Sequence, residues 1–136
     1  MRPSYSFAGS IGLASLAAGP IFLASAGLAF AYLELPRPVV VDPAQMVPGL
    51  LSFIPAIIVG FILAIVPNLA GSYLMHFTGR AFPATRPRLI WFGTGALVGA
   101  AIAGSTGAFA EPAYAFALIL TSACCARICR LSACWD

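Results

Sequence analysis

Lysine is absent from this chain, histidine occurs once, and only four carboxylate side chains are present in 136 residues. Charged residues make up 8% of the sequence, against roughly 25% in an ordinary soluble domain. A soluble fold cannot cover itself with so few charges, so lipid must be the solvent for much of the surface. Each shortage also removes a chemistry. Without lysine there is no Walker-type phosphate loop, although glycines are plentiful. A single histidine excludes haem held by two histidines of one chain, and no Cys-x-x-Cys-His attachment site occurs. His76 lies at one end of the apolar segments, whereas Glu34, Asp42 and Glu111 lie at the other, so a buried Ser-His-Asp set cannot assemble. Ionisable residues deep in a membrane mark ion and proton pathways. None falls near the middle of any apolar segment here.

Four uncharged stretches are what the chain does have: residues 3–33, 43–75, 89–110 and 112–126. Crossing a bilayer core of about 30 Å takes roughly 20 apolar residues in a helix. The expectation is an all-α membrane protein, one integral domain over 1–136, with four transmembrane helices at about 10–33, 50–75, 89–109 and 112–129. They would form a compact bundle of two helical hairpins. The four prolines in 34–49 argue against a continuous helix there, and Val39-Val40-Val41 reads as a short extended piece. Residues 76–88 read as a loop, since Gly79, Pro83 and Pro87 mark turns. Pro20 and Pro67 sit inside helices, where each removes one hydrogen bond and favours a kink. Ala24-Ser25-Ala26 has the small-x-small form of a signal-peptide cleavage site. A lone Arg2 precedes it and the apolar run continues to Leu33, so the segment is read as a membrane helix.

With four crossings, one side receives Arg2, Arg80, Arg86, Arg88, Arg127 and Arg130, and the other receives only Arg37. Short cytoplasmic loops carry the excess of basic residues, so both termini are expected in the cytoplasm. Arg80, Arg86 and Arg88 form the main positive anchor, suited to anionic lipid headgroups. Because the basic residues mark helix ends instead of forming a patch, the net charge of +3 does not point to nucleic acid. Tyr32 and Tyr114 at one set of ends, and Tyr73 and Trp91 at the other, read as interfacial aromatics.

Within the third apolar segment, Gly95-x-x-x-Gly99 and Ala96-x-x-x-Ala100-x-x-x-Gly104 line small residues along one side. Small residues let helix backbones approach closely in lipid, so this side is a candidate packing or partner interface. Asn68, Ser72 and Thr106 are the candidate polar contacts between helices, or the lining of a pore. Cys124, Cys125, Cys129 and Cys134 cluster near the C-terminus, but their spacing is not that of a structural zinc site. They read as unliganded thiols, with oxidation, lipid attachment or metal binding as alternatives. No cofactor, metal or catalytic residue is expected. Small multidrug-resistance transporters place a Glu within the first helix, which is uncharged here up to Glu34, and no family is recognised. The leading expectation is a non-catalytic accessory, assembly or scaffold subunit of a bacterial inner-membrane complex, with other membrane subunits or its own copies as partners. The alternative is a small oligomeric channel or solute transporter.

Overall fold

The computed structural model describes residues 7–36 and 42–131. All regular structure in them is helical: α1 Phe7–Leu33, α2 Pro43–Leu51, α3 Phe53–Ala81, α4 Arg88–Ser105 and α5 Pro112–Arg130, with 3-10 turns at Pro83–Thr85 and Ala108–Ala110. Four helical segments are long and apolar enough to cross a membrane: α1, the arm formed by α2 and α3, α4 and α5. α1 and α3 each remain a single helix through Pro20 and Pro67. The Val39-Val40-Val41 piece, Arg2, Arg37 and Cys134 lie outside the described residues.

Two boundaries differ from the sequence expectation. Part of the proline-rich connection is helical, because Asp42 and Pro43 form a helix start. The Asp42 side chain accepts a hydrogen bond from the Ala44 amide at 2.9 Å, and Pro43 occupies the first turn, where its missing donor costs little. The arm breaks at Ser52. Pro55, one turn further on, has no N–H to offer the carbonyl of Leu51, which weakens the ladder at that point. At its other end α3 continues past Met75 to Ala81. Gly79, expected to mark a turn, is buried within the helix. The real stop is Pro83, which biases Phe82 out of the helical region, and Phe82 is extended at φ −129°, ψ 95°. The expected third helix is shorter than 89–109. α4 ends at Ser105, and Gly107 takes the left-handed conformation (φ 72°) that closes many helices.

The helices lie in the order α3–α1–α5–α4. α1 packs against α3 and α5, and α5 packs against α1 and α4, while α3 and α4 make no substantial contact. The core is built mainly from small side chains, Ala14, Ala18, Cys125 and Cys129, with Ile11 and Trp91, the largest fully buried side chain among the described residues. Trp91 is 1% exposed, so it is a core residue and not the interfacial anchor its position near a helix end suggests. At the opposite end, Tyr114 stacks on Phe22 at 6.5 Å and meets Phe30 edge-on at 5.3 Å, joining the start of α5 to α1.

Candidate functional site: an open groove between α3 and α4

Glycine contacts set the helix positions from which the groove arises. A Cβ on Gly19 of α1 would collide with the Ala56 carbonyl of α3, and one on Gly60 would fall 2.5 Å from the Cα of Gly19. The two backbones therefore cross in direct contact. On the other flank, a Cβ on Gly95 would lie 2.5 Å from the Ser122 carbonyl and 2.9 Å from the Ala123 Cα of α5. One on Gly99 would lie 2.8 Å from both the Ile119 Cα and the Leu118 carbonyl. Gly95 and Gly99 thus face α5 inside the chain. Ala96 and Ala100 are partly buried, and Gly104 is exposed, with only the Phe109 ring nearby at 3.7 Å.

With α3 seated on α1 and α4 seated on α5, a cleft of about 920 Å³ remains between α3 and α4. α1 and α5 form its floor. Its walls are largely apolar, including Leu63, Leu74, Val98 and Ile102, and Asn68, Ser72 and Thr106 all line it. These three do not contact one another through any described hydrogen bond. Asn68 Nδ2 donates to Ser15 Oγ of α1 at 3.2 Å. Cys125 Sγ donates to the Ala14 carbonyl at 3.3 Å. Ser72, one turn further along α3, is buried, and both it and Cys129 line the groove. Thr106 bonds to the Ile102 carbonyl of its own helix at 2.8 Å. The Thr121 hydroxyl is buried with no hydrogen-bond partner among the described residues. The polar strip on the floor joins α1, α3 and α5 and is mostly satisfied within the chain.

Arginines gather at one end of the groove. Arg80 is exposed in the last turn of α3, Arg88 is exposed at the start of α4, and Arg127 and Arg130 occupy the last turn of α5. Arg86 Nε donates to the Gly79 carbonyl at 3.0 Å, and Arg130 Nε donates to the Arg86 carbonyl at 2.7 Å. These bonds tie the α3–α4 connection to the end of α5, and the first supplies a cationic partner to the C-terminal turns of α3. Cys124, Cys125 and Cys129 are free thiols, and no group of three potential metal ligands occurs among the described residues.

The α1–α3 crossing and the Ser15–Asn68 contact were not anticipated from sequence. A usable signal existed: Ala56-x-x-x-Gly60-x-x-x-Ala64 repeats the small-residue spacing seen in α4. No family model, curated protein or solved structure matches this chain.

Proposed function

We propose that the protein is a non-catalytic accessory or scaffold subunit of a bacterial inner-membrane complex, with both termini in the cytoplasm and its four crossings arranged as two hairpins. The carrying observation is the bareness of α3. Only Ser72 and Gly79 of its 29 residues are buried, whereas α5 buries six of its 19. α3 has one substantial helix neighbour, α1, and its outer face is left to lipid or to another protein. On that face Ile58, Ile62, Val66, Leu69 and Tyr73 are all exposed. Their spacing of four, four, three and four residues keeps them on one side of the helix. The proposed occupant is a transmembrane helix of a different membrane protein.

The shortage of ionisable groups supports the same assignment, since no carboxylate or histidine is available to titrate near the centre of any crossing. Extraction in mild detergent, followed by mass determination of the intact assembly, tests it. Unrelated subunits in fixed stoichiometry are expected. A second reading, an oligomeric channel, draws on the placement of Asn68, Ser72 and Thr106 along one groove. A defined homo-oligomer without other subunits, with solute flux after reconstitution, would favour it.

A further inference from the structure

The groove between α3 and α4 is distinct from the outer face of α3, and its shape and charge define a different occupant. On α3 the lining runs from Ala56 to Met75, and on the other side from Trp91 of α4 to Thr106 just past its end. At about 1.5 Å of rise per residue the walls are about 28 Å and about 22 Å long. The groove is open along one side, and its walls are almost wholly apolar, which suits the hydrocarbon chains of a lipid. Gly71 widens it locally: it lines the groove, and a Cβ there would meet nothing within 4 Å.

One end of the groove carries the charge. Trp91, Ala126 and Cys129 line it there, and each is within one turn of an arginine: Arg88, Arg127 and Arg130. Arg80 and Arg86 stand on the elements that close the same end. Glu34, Asp42 and Glu111, the carboxylates among the described residues, all belong to the opposite end. Arg88 and Arg127 are both exposed at that end, and a guanidinium offers five N–H donors to a phosphate. Basic pockets between transmembrane helices on the cytoplasmic side bind anionic lipid headgroups.

We infer that this groove is a binding site for a diacyl phospholipid with an anionic headgroup. The acyl chains lie between α3 and α4, and the phosphate faces Arg88 and Arg127 at the arginine-rich end. This holds whether or not the outer face of α3 engages another protein.

The test is native mass spectrometry of the purified full chain in detergent, titrated with dioleoyl phosphatidylglycerol or dioleoyl phosphatidylcholine. One phosphatidylglycerol per chain is expected to persist, in preference to phosphatidylcholine. Gly71→Leu places a side chain in open groove space and is expected to abolish the adduct without lowering the protein's unfolding midpoint. Arg88→Gln and Arg127→Gln are each expected to weaken the phosphatidylglycerol adduct about fivefold and leave phosphatidylcholine unchanged. Equal retention of the two lipids would overturn the charge assignment. An undiminished adduct in Gly71→Leu would overturn the groove as its location.

Discussion

Gly95→Ala and Gly93→Ala, two additions of one methyl group less than a turn apart on α4, should have opposite effects. At Gly95 the new Cβ would lie 2.5 Å from the Ser122 carbonyl, 2.7 Å from the Ala126 Cβ and 2.9 Å from the Ala123 Cα. Two of those three neighbours are backbone atoms and cannot rotate away, so α4 and α5 must separate. Overpacking of this kind costs about 1–3 kcal/mol, and backbone contacts place Gly95 near the top of that range. Alanine recovers about 1 kcal/mol through its better helix propensity. The net loss is about 2 kcal/mol, or about thirtyfold in the folding equilibrium constant. At Gly93 nothing lies within 4 Å of the added methyl, so only the propensity gain remains. Purified protein in mixed micelles, unfolded by titration with a denaturing detergent, gives both values. A Gly95→Ala protein as stable as the wild type would refute the α4–α5 interface and free that face for an outside partner.

Other consequences follow from the same packing. Gly60→Leu should disrupt the α1–α3 crossing more severely than Gly71→Leu, because only the first meets backbone, at Gly19; thermal unfolding in detergent compares them. Asn68→Leu should lose a contact with Ser15 of about 0.6–2 kcal/mol, and a double-mutant cycle with Ser15→Ala should recover most of it as coupling. Trp91→Ala should destabilise by about 3–5 kcal/mol, as expected for loss of a buried large aromatic, which a bilayer-interface anchor would not do. In the folded protein a membrane-permeant maleimide should label Cys124, which is partly exposed, well before the buried Cys125 and Cys129; simultaneous labelling of all three would contradict the α1–α5 contact.

The sequence makes the four crossings legible because lipid imposes one simple demand, a long apolar run whose backbone bonds close within the helix. It fixes ends less well. Gly79 looks like a turn residue in one dimension, yet it lies inside α3, where it is buried and its carbonyl accepts the Arg86 bond. Asp42-Pro43 is a readable helix start that the surrounding prolines concealed. Neighbour relations were harder still. Almost every side chain of the second crossing is apolar, so no periodicity separates the face on α1 from the face left bare. Only close-approach glycines carry that information, and Gly19 with Gly60 becomes a pair once the register of α1 and α3 is known. The groove was hidden for the same reason. Asn68, Ser72 and Thr106 could be picked out as polar residues in apolar runs, but their common boundary depends on α3 and α4 standing apart.

The subunit assignment stands or falls on what touches the outer face of α3. A photocrosslinking amino acid at Ile62 or Val66, irradiated in native membranes, samples that face without entering the groove. Specific adducts with an unrelated membrane protein are predicted from both positions. Adducts with lipid alone, or with a second copy of this chain, would contradict the account.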